Sequence, residues 1–372
     1  MKSYHPTRRT VLRGLGGSAV GVMTFGIKSV VLAEESITVG FLAVDNWNDY
    51  GYTQSHLESA NALGERGDVS VLKEEGVPEG VEVQKAMKSM IELSGASVIV
   101  ATAWGYYDPH VLEVAAEYPD VHFLHCGGIW TPEQPPNVAT YFAYTDEVAY
   151  AAGFVAARMV SSDQLGFLGS KPIPEILRFA NSFTIAARTV NPDITTKLVL
   201  TGEWTNPVRE AEATNSLIDQ GIQAIGCDVD IPKVFIETCA KRQTFCTGMH
   251  VSQRDLAPDW FLTGAEWNWI TPVDRFISAV VSGEPYEHNM RGGLGQDMVK
   301  ISPYGNAVPD DIRQEADAVV EELKSGSRGI YVGELRDNQG NVVVPEGETL
   351  PVDDVSLELT EWLVEGIVGS TT

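Results

Sequence analysis

Ser36-Ile37-Thr38-Val39-Gly40-Phe41-Leu42-Ala43-Val44 (SITVGFLAV) is followed by Asp45-Asn46-Trp47-Asn48-Asp49-Tyr50-Gly51-Tyr52 and then by a run over 53–64 that mixes apolar and polar residues. The first piece is apolar almost throughout, as a strand buried on both faces must be. The last reads as a helix, and the polar, aromatic stretch between them is the connecting loop. The same unit recurs downstream. Strands are expected at 69–73, 98–101 (VIVA) and 121–126, and helices at 80–94 and 109–118. Such alternation predicts an α/β fold, with a parallel sheet covered by helices on both faces.

The segment 140–146 (TYFAYTD) reads as a strand that leaves this first unit, and a long helix over 147–159 follows. The alternation then restarts. Strands are expected at 164–168, 195–200, 224–227 and 245–249, with helices at 174–191, 207–220 and 233–242. Two α/β units therefore stand in tandem. Beyond them come a strand at 261–265, a helix at 272–283, a strand at 298–301 and an acidic helix at 309–326. Asp337-Asn338-Gln339-Gly340 sits between two apolar-alternating runs and predicts a hairpin within 329–344. A closing helix is expected over 358–368. No Pro/Ser-rich linker separates the units, so strands crossing between them would form a hinge. The expected division is 36–143 plus about 266–292 for one lobe, and 144–265 plus about 293–372 for the other.

Residues 1–33 carry five cations (Lys2, Arg8, Arg9, Arg13, Lys28) and no acid. Arg8-Arg9 precede a mild, Gly-rich apolar run from Gly14 to Ile27 that is too short to span a bilayer. Val31-Leu32-Ala33 then offers small residues before Glu34. This reads as a twin-arginine export signal, an address rather than an anchor; a secretory signal with a chance arginine pair is the other reading. No Cys lies near the cut, so no lipid anchor is expected. The mature protein is expected to be soluble and periplasmic.

The 372 residues hold 51 Asp+Glu against 26 Lys+Arg, a formal charge of −25. Without 1–33 the count is 21 cations and the charge −30. A charge of this sign argues against a nucleic-acid or anionic-membrane partner. Self-repulsion on this scale is screened by salt, so a saline habitat is expected. Four Cys are too few for a disulfide scaffold. Cys227 and Cys246 fall on strands expected to be neighbours, with Cys239 on the helix between them. A disulfide there and buried free thiols are both open, and parallel neighbours seldom have bridging geometry.

In open α/β sheets ligands sit beyond the C-terminal strand ends. The stretches found there are 45–52, Thr102-Ala103-Trp104-Gly105-Tyr106-Tyr107-Asp108, Ser170-Lys171-Pro172-Ile173-Pro174-Glu175 leading to Arg178, Asp228-Val229-Asp230, and Glu266-Trp267-Asn268-Trp269. All five carry an acid and three are rich in aromatics. Trp and Tyr faces beside Asp and Asn suit a flat heterocycle, which stacks on the rings and donates N–H groups to the carboxylates. Each ring alone is equally well read as core. No G-x-S-x-G, H-E-x-x-H or P-loop is present. His122 and His125 lie on opposite faces of a strand and are no metal pair. Asp45 and Asp49 are read as an acid–base pair, calcium ligands, or more ordinarily as capping residues. No cofactor, metal or catalytic residue is expected.

Several pieces occur in register with one family. They are Asn48-Asp49-Tyr50-Gly51-Tyr52-Thr53, Trp104-Gly105-Tyr106-Tyr107-Asp108-Pro109, Pro172-Ile173-Pro174-Glu175-Ile176-Leu177-Arg178, Gly202-Glu203-Trp204-Thr205-Asn206-Pro207, Trp267-Asn268-Trp269 and Gly292-Gly293-Leu294. From about Ile37 to the C-terminus the chain resembles the basic membrane protein family of ABC-transporter substrate-binding proteins, which includes purine nucleoside receptors. The branch that it is most similar to is associated with free purine bases. The resemblance implies a type I periplasmic-binding-protein fold, with two Rossmann-like lobes, three crossing strands and a ligand closed between them. It implies a monomer that captures a purine and delivers it to permease subunits, with no enzymatic activity. Tyr52 matches the family's stacking aromatic and Asp49 its acidic partner, and Asp230 falls in the second lobe's ligand loop. Trp104, Arg178, Trp267 and Asn268 are placed in the site by position. Two residues depart from the pattern. Ser252 stands where an acid is frequent, which favours a free base such as adenine over a nucleoside. Asn206 stands where Asp is usual, at a helix cap. The alternatives are a flavin- or thiamine-binding protein of the same fold, and a nucleoside hydrolase using Asp45 and Asp49.

Overall fold

In the computed structural model, which describes residues 36–371, the opening stretch forms β1 (Ile37–Leu42) and α1 (Tyr52–Gly64). The chain continues through β2 (Val69–Glu74), α2 (Val81–Ser94), β3 (Val98–Ala101), α3 (Leu112–Glu117), β4 (His122–Cys126) and β5 (Val138–Ala143). The strands pair in parallel in the order β2-β1-β3-β4-β5. Successive side chains of a strand alternate between its faces. Val39, Phe41, Val98 and Val100 join one core with Ala60 and Leu63 of α1. Leu42, Ile99 and Ala101 join another with Val83, Met87 and Met90 of α2. This two-sided burial is why the first strand carries almost no polar residue.

Residues 144–145 lead into α4 (Asp146–Met159), which opens a second sheet. Its elements are β6 (Gln164–Gly169), α5 (Pro174–Val190), β7 (Thr195–Leu200), α6 (Pro207–Asp219), β8 (Ala224–Asp228), α7 (Lys233–Lys241), β9 (Phe245–Gly248) and β10 (Phe261–Trp267). Residues 268–269 carry the chain back to the first sheet, where α8 (Ile270–Ser282) packs on α1 and β11 (Asn289–Gly292) pairs in parallel with β5. Residues 293–298 return it to β12 (Val299–Ile301), antiparallel to β10, and to α9 (Asp310–Lys324) on α4. The two sheets are thus joined three times. The Asn268 carboxamide Nδ2 donates to the Asp297 carbonyl, and Asn268 N–H to that of Met298, so the second and third connections are tied to each other.

Two short pairs follow. β13 (Tyr331–Val332) pairs with β16 (Thr349–Leu350), and β14 (Leu335–Arg336) with β15 (Val342–Val344). The second is the expected hairpin, its turn closed by the Asp337 carboxylate accepting from the Gln339 and Asn341 N–H groups.

The end of the chain differs from expectation. In place of a helix over 358–368 there is a short helical turn, Val355–Leu359, and then β17 (Ile367–Val368), parallel to β7 at the edge of the second sheet. Gly366 has φ +98°, which no helix accommodates, and its carbonyl accepts from Thr196 N–H. The open edge of β7 captures this segment. The strand β11 was not anticipated either. All four Cys are buried and free. The β8–β9 register sets Cys246 opposite Ile225, two residues from Cys227. The signal expected at 1–33 lies outside the described residues.

Candidate functional site

The loops after β1, β3, β6, β8 and β9 converge where the C-terminal ends of the two sheets face each other. The loop after β1 is shaped by Asp49. Its Oδ1 accepts from Gly51 N–H (2.8 Å) and Gln54 N–H (2.9 Å), and its Oδ2 from Thr53 N–H (2.9 Å). The carboxylate therefore caps α1. The turn so fixed presents Gly51 and Tyr52 to the other sheet. Tyr52 N–H donates to the Asp230 carbonyl at 2.9 Å, and Gln253 Nε2 donates to the Tyr50 carbonyl at 2.9 Å. A Cβ at position 51 would overlap that same Asp230 carbonyl oxygen, so only glycine permits this approach. The two lobes are held shut by these contacts.

Tyr52 lies inside the closed cleft. Its hydroxyl donates to the Thr102 carbonyl (2.8 Å), and its ring stands edge-on to His56 (4.9 Å) and His250 (5.8 Å). The Cys126 thiol lies against the Tyr52 and Tyr141 hydroxyls, and burial pushes it up to about 12. Behind Tyr52 runs a column of rings. Trp267 stacks on Trp269 (4.4 Å), and Trp269 on His56 (5.5 Å). Trp267 Nε1 donates to His250 Nδ1, and His250 Nε2 donates to the Val229 carbonyl. Burial lowers His56 and His250 to about 3, so both are neutral. Trp267 is thus a buried ring at the end of β10, linked to Tyr52 through His250.

The second lobe's wall is acidic. Glu175 opens α5, Asp228 ends β8 and Asp230 follows it. Burial, then the neighbouring acids led by Glu175, hold Asp230 well above the usual carboxylate range. Burial and the Asp230 charge push Asp228 up to about 7. Burial and the Asp228 charge raise Glu175 far above its ordinary value. Glu175 Oε1 and Asp228 Oδ2 are buried without a hydrogen-bond partner, as is the Ser170 hydroxyl beside them.

The remaining expected residues divide. Trp104 is 64% exposed; its ring covers Gly127 and meets Phe142 edge-on at 6.4 Å. Arg178 is buried, but its Nε and Nη2 donate to Asp146 (3.0 and 2.9 Å) and Nη2 also to the Val352 carbonyl. That guanidinium ties α4, α5 and the C-terminal segment together. The Asn268 carboxamide is spent on Thr271 and Asp297. Arg178 and Asn268 are thus committed to other protein groups. Tyr52 and Asp230 meet directly, Asp49 shapes the loop that joins them, and Trp267 backs them. Sequence reasoning passed over His56, His250, Cys126 and Tyr141. His250 lies just after β9, so the strand-end rule reaches it; the others are core positions of a helix and two strands, which only the assembled fold brings to the cleft.

The family model for Bmp, the PnrA-like ABC transporter substrate-binding proteins, matches residues 36–334. The chain belongs to this family. Its members are substrate-binding proteins of ABC transporters, not enzymes, and they act outside the cytoplasm on a small-molecule ligand and permease partners. A purine-binding protein of Brucella abortus is 31% identical over 350 residues, covering 93% of this chain and 97% of that one. A Haloferax volcanii protein whose name gives it as the glucose-binding part of an ABC transporter is 23% identical, covering 90% and 81%. Among solved structures, an ABC transporter solute-binding protein from Conexibacter woesei superposes with TM-score 0.67 at 22% identity, covering 79% of this chain and 98% of that one. One from Aeropyrum pernix gives 0.66 at 18%, covering 81% and 93%. Both share the type I periplasmic-binding fold expected from the sequence. Among the described residues no helix is long and apolar enough to cross a membrane.

Proposed function

We propose that this Bmp-family protein captures a purine base, adenine-like, in the periplasm and hands it as a monomer to its permease. The observation that carries the reading is the pairing of Tyr52 with an acidic wall inside a closed cleft. A flat ring stacks on such an aromatic, and its N–H groups find acceptors in Asp228, Asp230 and Glu175. The purine-binding relative supports the same ligand class. Ser252, whose hydroxyl accepts from the Arg254 N–H at 3.4 Å, supports a base over a nucleoside. The two lobes and their hinge support capture by closure.

A thermal-shift screen at high salt tests this, with adenine, guanine, their nucleosides, riboflavin, thiamine and glucose. A ligand of the native state adds RT ln(1 + [L]/Kd), about 2.7 kcal/mol at 100 times Kd. The largest shift is expected with adenine. A larger shift with a nucleoside removes the Ser252 argument. A response to riboflavin, thiamine or glucose alone removes the purine reading.

A further inference from the structure

Two carboxylates of the second lobe stand in direct side-chain contact at the cleft, and no cation is given over to them. Glu175, in the first turn of α5, meets Asp228, the last residue of β8. Glu175 Oε1 and Asp228 Oδ2 are both buried and unpartnered, and Asp228 is 2% exposed. The groups around the pair are mostly acids. Glu175 faces Asp146 and Arg178 as well as Asp228, and the Arg178 guanidinium is committed to Asp146. Asp228 faces Asp230, which itself faces Asp45, Asp49 and Glu210. Across the cleft, Glu175 faces the neutral Cys126 thiol, and Arg291 near that thiol gives Nη2 to the Gly128 carbonyl. Two touching buried carboxylates do not both ionise; they share a proton and titrate as a unit.

The shared proton changes what the wall offers. Two ionised carboxylates present acceptors only. One proton adds a donor beside an acceptor. An amidine edge, with an amino group next to a bare ring nitrogen as in adenine, needs that donor and acceptor side by side. An edge with two adjacent N–H groups, as in guanine, is satisfied by an ionised carboxylate.

We propose that Glu175 and Asp228 hold one proton between them when the cleft closes on an amidine-edged purine, so that capture of adenine takes up a proton. This rests on the purine reading above. The sign follows from linkage. In an open, hydrated cleft the pair has ordinary carboxylate behaviour; closed on an amidine edge it holds its proton to higher pH, whereas two N–H groups donated by a guanine edge offset the charges of the ionised pair and let that proton go. Between those limits closure binds a proton, so adenine affinity is greatest at low pH and falls as pH rises, by at most about tenfold per pH unit. Guanine lacks that requirement and its affinity stays flat over the same range.

Titration calorimetry of the mature chain with adenine and guanine, from pH 5 to pH 8 in two buffers of different ionisation heat, tests this. The expected result is uptake approaching one proton with adenine, none with guanine, and an adenine affinity that weakens with pH. Glu175→Gln replaces the shared proton by a permanent N–H donor. It should abolish the uptake and flatten the pH profile of adenine binding, whatever its effect on the affinity itself; Asp228→Asn, made in parallel, should do the same and guards against one variant failing to fold. Tight adenine binding without proton uptake overturns the inference and leaves the purine reading intact. Uptake that persists in both variants overturns it too, because the proton then sits elsewhere, on Asp230 or on the ligand. Equal uptake with guanine overturns the edge selection. No binding of any purine removes the purine reading, and this inference with it.

Discussion

Tyr52 and Gly51 are neighbours with separable tasks. Tyr52 supplies a ring and, through its N–H, a contact to the Asp230 carbonyl; its hydroxyl serves Thr102. Losing one stacking ring costs about 1–3 kcal/mol, roughly 10- to 100-fold in affinity. Tyr52→Ala should therefore weaken ligand binding by that factor in calorimetry. Tyr52→Phe, which keeps the ring, should lose far less. An unchanged affinity in Tyr52→Ala would reduce the ring to packing. Gly51 supplies nothing but room for the Asp230 carbonyl. Gly51→Ala should leave the lobes folded and oppose their closure. The expected readings are an unchanged far-UV spectrum, a larger radius of gyration by solution scattering, and weaker binding. A variant that closes and binds normally would show that the approach can relax.

The elements that could be read from the sequence are those whose burial is dictated by their own residues. The run 36–44 needs cover on both faces, and α1 and α2 provide it. The same holds for VIVA and for the strands of the second sheet, so the alternation was legible there. β11 and β17 were not legible because each is only a few residues long and exists by virtue of an edge elsewhere, β5 or β7. The candidate site shows the same division. Tyr52 and Asp230 were legible as strand-end residues, whereas Arg178, placed in the site by position, has its guanidinium claimed by Asp146. β17 permits a direct check. Ile367 is 3% exposed and Val368 is 56% exposed. Ile367→Ala should lower stability by about 2–4 kcal/mol in denaturant unfolding and Val368→Ala by well under 1. Equal effects would mean that the edge pairing contributes little.

At the scale of the whole molecule, charge dominates. With 51 acids against 26 cations the chain repels itself. Screening shortens the reach of surface repulsion from about 10 Å at 0.1 M to about 3 Å at 1 M salt. The melting temperature should climb as salt is raised from 0.1 to 2 M; a flat curve removes the saline-habitat reading. The four thiols carry a different message. Cys126, Cys227, Cys239 and Cys246 all sit inside the fold, and none is bridged. Nothing in the covalent chemistry of maturation therefore waits for an oxidant. The described fold can be completed beside glutathione as readily as in air, and a reductant has no bond to cut. A chain built this way is indifferent to the redox climate of the compartment in which it first becomes compact.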